Sequence, residues 1–328
     1  MINILVLEPE YVSNTGWWRL YAPFSVMKIM YPGVFDFRFR SKELNYFDAW
    51  NADVIIQARP GSGKPGEQEA RNQLMKMAQN IVPGGRRVIV DIDDNILGMP
   101  PDHDLYNIYN EKARVKSTRE CIELADAVWI STPAFLDTYR ADAQVMPNAI
   151  PPEWLPNEPA KDNGIFAWRG AKIQMHDILG QGLKNWPMYR DMAKTGVFIG
   201  YRPPIEGNEK WRDAPYLDDP EKYFGFMRQM GINYLWKPMV KNGFNDHKSN
   251  IAVLEATMSG GVCLTNYAGK PGWEYAVSEP VPYSEACMFW EAAKNNIVEN
   301  YNLYKTAQAR AQSIFSLVPH LLPVTNDK

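Results

Sequence analysis

The chain has few cysteines, no surplus of basic charge and no long apolar run, and each shortage removes a class of function. Its three cysteines, Cys121, Cys263 and Cys287, are scattered, odd in number and without metal-ligand spacing. That pattern argues against a disulfide framework or a zinc module and favours a reducing compartment. The formal net charge is −3, so the sequence does not announce a nucleic-acid or membrane partner, although a local basic patch is compatible with it. No apolar segment is long enough to span a bilayer, so no transmembrane segment is expected. The opening Met1-Ile2-Asn3-Ile4-Leu5-Val6-Leu7-Glu8 is too short for the apolar region of a signal peptide and lacks its basic start. A cytoplasmic location is the expectation. Internal repeats and low-complexity tracts are missing as well. What remains is 328 residues, 45% hydrophobic and 22% charged, which suits a soluble globular protein with room for two α/β domains of ordinary size.

The chain is organised around the stretch from Phe244 to Gly261, followed by Val262-Cys263-Leu264-Thr265. A polar loop leads to Ser249 and Asn250, both good N-cap residues, so a helix is expected to open there. Gly260-Gly261 stops it, and a short buried strand follows. A helix N-terminus with Lys248 beside it suits an anion such as a phosphate. Glu255, further along the same helix, is placed to reach ribose hydroxyls while the helix amides hold a diphosphate. The plainer alternative is an amphipathic helix with a glycine C-cap and a solvated charge at each end.

In chain order, Ile2 to Leu7 reads as a buried strand of a parallel sheet. The loop Glu8 to Gly16 and the run Trp17-Trp18-Arg19 follow it, where an open α/β sheet places its ligand crevice. Ser25 to Met30 reads as a helix. Phe35 to Phe39 alternates strictly, as a strand with one wet face does. Ala52 to Gln57 is a third strand. The loop Arg59 to Gly66 invites a phosphate-loop reading that fails, because Ala58 or Arg59 stands where glycine is needed and Pro65 follows the lysine. A helix is expected from Glu67 to Gln79.

The strand Arg87 to Asp94 delivers Asp91, Asp93 and Asp94 to its end. Three neighbouring carboxylates repel, so at least one needs a cation, a hydrogen bond or a raised pKa. Metal binding, acceptor or sugar contacts, and capping of the chain from Asn95 onward all stand as readings. Leu97 to Tyr109 is irregular, in the manner of a lid or of a plain connection. Glu111 to Leu124 reads as a helix, Asp126 to Thr132 as a strand and Ala134 to Tyr139 as a short helix. The proline-dense stretch 147–159 makes a stiff linker. A second α/β set then begins with the strand Gly164 to Gly170 and a helix from His176-Asp177-Ile178. A strand at Val197 to Tyr201, a helix at Lys222 to Met230 and a strand at Ile232 to Met239 lead into the central stretch. Glu285 to Asn295 and Leu303 to Ser316 are terminal helices.

The pattern Phe244-Asn245-x-x-Lys248-Ser249, Leu254-Glu255-Ala256 and Gly260 resembles the donor-binding motif of glycosyltransferase family 4. That family has the GT-B fold, an α/β architecture of two Rossmann-like domains with parallel sheets facing across a cleft. Its motif often reads Glu, seven residues, Glu. The second glutamate matches Glu255 and the first falls on His247, a departure that bears on how the sugar ring is held. Gly16, Arg19 and Pro23 resemble the family's first loop, where glycine lets the backbone approach donor or acceptor. Arg19 is then either a phosphate contact or an ordinary surface arginine stacked on tryptophan. Asp91-Ile92-Asp93-Asp94 is similar to a segment of the N-terminal domain in enzymes that normally need no metal, and also to the metal motif of the other glycosyltransferase architecture, GT-A. Ala125-Asp126-x-Val128, Ser131-Thr132-Pro133 and Pro147-Asn148-Ala149-Ile150 look like the end of the family's N-terminal domain. Trp168-x-Gly170 with His176-Asp177 resembles the first strand and loop of its C-terminal domain.

The resemblance implies an acceptor domain over 1–150, a donor domain over 151–300 and a C-terminal helix over 301–328 that packs back on the first domain. It implies a retaining hexosyltransferase-like enzyme that moves a sugar from a nucleotide-sugar donor, most often a UDP-sugar, to an acceptor hydroxyl. Arg169, Lys248, Asp93 and Asp94 are the expected catalytic residues. Gly16, Arg19, Gly170, His176, Lys237, Asn245, His247, Ser249, Asn250 and Glu255 are expected at the donor, with His176 also readable as a capping or packing residue. No cofactor is required beyond the nucleotide-sugar co-substrate, and a divalent metal is the less favoured option. The acceptor, whether saccharide, small molecule or DNA base, is not legible. Two alternatives remain: a glycosyltransferase acting on a modified base of viral DNA, and a non-catalytic nucleotide-sugar-binding protein on the same fold, suggested by His247.

Overall fold

The computed structural model describes residues 1–7, 16–40, 46–62, 66–81, 84–103, 105–171, 174–215, 217 and 219–321. The expected loop after the first strand, the centre of the Arg59 to Gly66 loop and two residues of the loop before His176 fall largely outside them. The chain divides into two α/β units. Unit 1 comprises Met1–Pro101, Leu105–Pro147 and Leu303–Lys328, and unit 2 comprises Asp102–Asp104 and Asn148–Asn302.

Unit 1 is built on six strands: β1 (Ile2–Leu7), β2 (Phe35–Arg40), β3 (Val54–Ala58), β4 (Arg87–Ile92), β5 (Ala127–Ile130) and β6 (Gln144–Val145). Their order is β2-β1-β3-β4-β5-β6, all pairs parallel. β3 is buried at every position, as expected of a strand covered on both faces. β2 lies at the edge and alternates, with Phe35 and Phe37 buried and Arg38 exposed. The connections are α1 (Ala22–Met30), α2 (Tyr46–Asn51), α3 (Glu67–Asn80) and α4 (Lys112–Leu124). Leu74, Met75 and Ala78 of α3 and Cys121 and Ile122 of α4 meet Ile55, Val88, Val90 and Val128 in one core cluster.

Some local expectations are revised. The segment 97–109 holds a turn at Ile96–Gly98 and one helical turn at Tyr106–Tyr109. The helix expected from Ala134 shrinks to a 3-10 turn, Pro133–Phe135, in which the Thr132 hydroxyl accepts from the Ala134 N–H.

Unit 2 contains α5 (Met175–Gly180), α6 (Trp186–Met192), α7 (Pro220–Met230), α8 (Ile251–Met258) and α9 (Tyr283–Asn300) around a five-stranded parallel sheet. The strands are β7 (Ile165–Gly170), β8 (Thr195–Gly200), β9 (Arg212–Ala214), β10 (Tyr234–Trp236) and β11 (Val262–Leu264), in the order β11-β10-β7-β8-β9. β10 is shorter than the apolar run suggests because Lys237 and Pro238 follow it, and proline has no N–H for the ladder. An aromatic cluster fills one face, with Trp186 and Trp236 stacked at 5.7 Å and Trp211 4.9 Å from Phe198. The last helix, α10 (Leu303–Leu317), belongs to unit 1 and packs against α1.

The double glycine after α8 is required by close packing. Gly260 has φ +88°, and a Cβ at Gly261 would lie 1.9 Å from the Ile232 carbonyl oxygen. Gly261→Ala must therefore push α8 away from the start of β10. We expect it to cost about 1–3 kcal/mol, in the range of overpacked cores, read as a lowered urea midpoint. An unchanged midpoint would contradict this packing.

Candidate functional site

The strand order of unit 2 reverses between β7 and β10. In open parallel sheets the crevice at the carboxyl ends of two such strands is where ligands bind. β7 ends in Arg169 and Gly170, Lys237 immediately follows β10, and α8 starts nearby. The topology therefore brings three expected residues to one edge without any appeal to their chemistry.

Glu255 is the most deeply buried group there, at 1% exposure. One carboxylate oxygen lies 3.4 Å from an Nη of Arg169, whose guanidinium sits 5.6 Å from the Tyr223 ring centroid. Burial pushes the Glu255 carboxyl up, against the pull of Arg169 and then Lys237. A buried carboxylate persists only with such partners. Lys237 is half-buried. Burial, then the charge of Lys248, brings its ammonium down to about 8, with Asp177 opposing. Gly170 admits the Trp168 ring at a distance that excludes a side chain, since a Cβ would stand 2.4 Å from it.

The segment before α8 is held by α5. Asp177 accepts the Val240 N–H at 2.9 Å and the Asn245 Nδ2–H at 2.7 Å. The same Asn245 nitrogen donates to the Val240 carbonyl at 2.9 Å. Both of these neighbours are acceptors, so the amide orientation is fixed and Asn245 Oδ1 is left buried without a partner. His247 Nδ1 lies 2.6 Å from the Gly243 carbonyl, which places its proton on Nδ1. Lys248 Nζ stands 4.5 Å over the Phe244 ring. His176 is 3.8 Å from Asp102, with its ring 5.8 Å from that of His103.

Asn250 occupies the N-cap position of α8, but its side chain makes no capping bond, and half-buried Ser249 precedes it. The expected side-chain cap is thus absent, and the helix begins without one. Its N-terminus carries the positive end of the helix dipole toward the same edge.

One unit 1 expectation changes. Arg19 lies in a buried π-helical turn, Trp17–Tyr21, at 0% exposure. Its Nε donates to Asp91 at 3.0 Å, its Nη2 bonds the other Asp91 oxygen and its Nη1 bonds the Met146 carbonyl. The arginine read as a phosphate or surface contact is therefore an interior ion pair. Gly16 sits buried at the start of that turn with ordinary helical dihedrals.

Asp91 is fully buried and also faces Arg310 of α10 at 3.6 Å. Arg310 lies 4.5 Å from the Trp129 ring, and burial brings its guanidinium down to about 9 against the opposing charge of Asp91. Asp93 is buried, with its carbonyl accepting the Ser131 hydroxyl, and Asp94 is half-buried. Asn95 accepts from both the Gly98 N–H and the Tyr139 hydroxyl. Among the described residues, no group of three His, Cys, Asp or Glu is placed to hold a metal ion, and no helix is long and apolar enough to cross a membrane.

Sequence reasoning missed Tyr223, Asp177 and Arg310. Asp177 stood in the quoted His-Asp pair, but nothing local marked Tyr223 on α7 or Arg310 on α10.

No protein-family model matches the chain, and no curated protein matches its sequence. Solved structures do resemble it. An α-glucosyltransferase (AGT) in complex with UDP is 10% identical, with 98% of this chain and 96% of that one covered and a TM-score of 0.52. An α-glucosyltransferase in complex with UDP and a 13-mer DNA containing an HMU base is 9% identical, with 97% and 99% covered and a TM-score of 0.51. TarM is 14% identical, with 80% of this chain and 54% of that one covered and a TM-score of 0.53. The likeness is one of fold: the chain has the two-unit α/β architecture of these GT-B proteins.

Proposed function

We propose that the chain is a glycosyltransferase that binds a nucleotide sugar, a UDP-sugar first among candidates, at the carboxyl edge of the unit 2 sheet. The observation that carries this reading is the convergence of Arg169, Lys237 and Lys248 with Glu255 at the strand-order reversal. The motif resemblance to family 4 and the fold likeness to UDP-bound glycosyltransferases support it. In this reading Glu255 accepts from ribose hydroxyls. Arg169, Lys248 and the α8 amides take the diphosphate, whose charge grows as the glycosidic bond breaks. The acceptor oxygen bonds to the anomeric carbon on the face the diphosphate leaves, and its proton passes to the departing phosphate oxygen. The configuration is thereby retained without a protein nucleophile, and catalysis rests on orientation and electrostatics.

A thermal-shift panel of UDP, GDP, ADP and their sugars tests the donor. A ligand at a hundred times its Kd stabilises by about 2.7 kcal/mol, enough for a clear rise in Tm. UDP or a UDP-sugar is expected to give the largest rise, and no rise with any nucleotide diphosphate would sink the proposal.

The acceptor is proposed to be a hydroxyl on a saccharide or small molecule. A hydroxylated DNA base is the second reading, favoured by the fold neighbour that holds DNA. A salt-dependent DNA shift assay separates the two, because phosphate contacts weaken steeply with salt.

The reaction is further proposed to need no metal. EDTA should leave turnover nearly unchanged, whereas complete loss restored by manganese would contradict the assignment.

A further inference from the structure

We infer that unit 1 carries a ligand site of its own, a cavity that takes a small polyhydroxylated anion, either a sugar phosphate or a sugar acid. The site owes nothing to the donor reading of unit 2 and stands or falls separately from it. The cavity measures about 340 Å³, within the range of small-molecule sites, about 300–1,000 Å³. It lies where the chain leaving β4, one face of α4 and the chain after the Pro133–Phe135 turn meet.

Its walls are fixed before any ligand arrives. Asn95, 3% exposed, accepts the Gly98 N–H at 3.1 Å and the Tyr139 hydroxyl at 2.8 Å, tying two walls together. Arg140 donates to the Ala125 carbonyl at 2.7 Å and from Nε to Asp142 at 2.8 Å, so its charge is already answered. Leu97, Ile122 and the ring of Tyr139 supply apolar surface.

Two lining side chains are placed differently. Arg119 and Glu123 stand four residues apart on α4, both exposed, a spacing at which opposite charges commonly pair. Among the described residues, neither forms an ion pair or a hydrogen bond through its side chain. Arginine ahead of glutamate is the less favourable order along a helix. The free guanidinium suits a phosphate or carboxylate, which it holds through two parallel N–H bonds. The free carboxylate only accepts, and so suits groups that donate, the hydroxyls of a sugar among them. One ligand answers both when it is an anion that also carries hydroxyls. A bare anion is repelled by Glu123, and a neutral sugar leaves Arg119 unused. Lys116 and Lys112, three and seven residues before Arg119 and likewise exposed, add a positive field that draws anions to this face.

Calorimetric titration of the whole chain with glucose 6-phosphate, glucuronate, inorganic phosphate and glucose tests this. Glucose 6-phosphate or glucuronate is expected to bind at least about tenfold more tightly than phosphate or glucose. The tighter of the two identifies the anionic group. Arg119→Gln should weaken that ligand by about tenfold, the lower end for a charged hydrogen bond, because the site is open to water. Glu123→Gln separates a built site from a merely charged surface. It should weaken the polyhydroxylated anion yet strengthen inorganic phosphate, which loses a repelling neighbour. Both residues are exposed, so the variants should keep the wild-type urea midpoint and the wild-type affinity for UDP. No binding of either sugar anion, unchanged affinity in Arg119→Gln, or a gain for both kinds of anion in Glu123→Gln would overturn the inference. So would a short single-stranded DNA that binds here while the sugar anions do not. A protein that binds glucose 6-phosphate but not UDP would support this site and remove the donor reading.

Discussion

Replacing Arg169 with methionine is expected to lower kcat for sugar transfer by about a hundred- to a thousandfold, the range seen when one preorganised donor to a developing charge is removed. Arg169 closes β7 at the reversal point, keeps one fifth of its side chain exposed and lies over Tyr223. It is thus held in place yet reachable by a ligand. The diphosphate carries more charge as it departs than in the bound donor, so the loss should fall on kcat more than on KM. Methionine preserves the length of the stem and its packing on Tyr223. The carboxylate of Glu255 loses its nearest cation in this variant and keeps only the weaker pull of Lys237, so a buried carboxyl takes up a proton more readily instead of unfolding the protein. Steady-state rates together with a urea midpoint separate the two effects. A folded variant with unchanged kcat would remove Arg169 from the chemistry.

Glu255→Gln is expected to act differently, weakening the binding of UDP itself by about ten- to a hundredfold, the equivalent of about 1.5–3 kcal/mol for a charged hydrogen bond. A carboxylate accepts two ribose hydroxyls with both oxygens, and an amide offers one acceptor and an NH2 that cannot accept. The amide also turns a donor toward Arg169, 3.4 Å away in the native pair. Because Glu255 is only 1% exposed, an isosteric change is needed: alanine would leave a hole and a lone arginine, confusing stability with binding. Titrating bare UDP reads the effect without any acceptor. Unchanged affinity in a folded protein would take Glu255 out of the site.

Much of the fold was legible because its causes are local. The apolar runs of β1, β3 and β4 signal strands covered on both faces, and Gly260-Gly261 marks the end of α8 in the chain itself. The candidate site was legible in part for the same reason, since Lys248, Ser249, Asn250 and Glu255 lie within one short segment. What stayed hidden depends on distance along the chain. Nothing in Trp17-Trp18-Arg19 reveals that its arginine meets Asp91, 72 residues on, or that Arg310 arrives from the last helix to share the same carboxylate. Tyr223 was hidden likewise, because its place beside Arg169 depends on how α7 packs in unit 2. The missing side-chain cap at Asn250 shows a further limit: a residue type suited to capping fixes the position of a helix start but not the hydrogen bond made there.

A crystal structure of the protein with UDP tests the central claim most directly. The account predicts the diphosphate at the carboxyl edge of the unit 2 sheet, beside Arg169, Lys237 and Lys248 at the start of α8, with the ribose on Glu255. Nucleotide bound elsewhere, such as in the cavity lined by Tyr234, Tyr283 and Cys287 at the amino edge of that sheet, with the reversal point unoccupied, would contradict it.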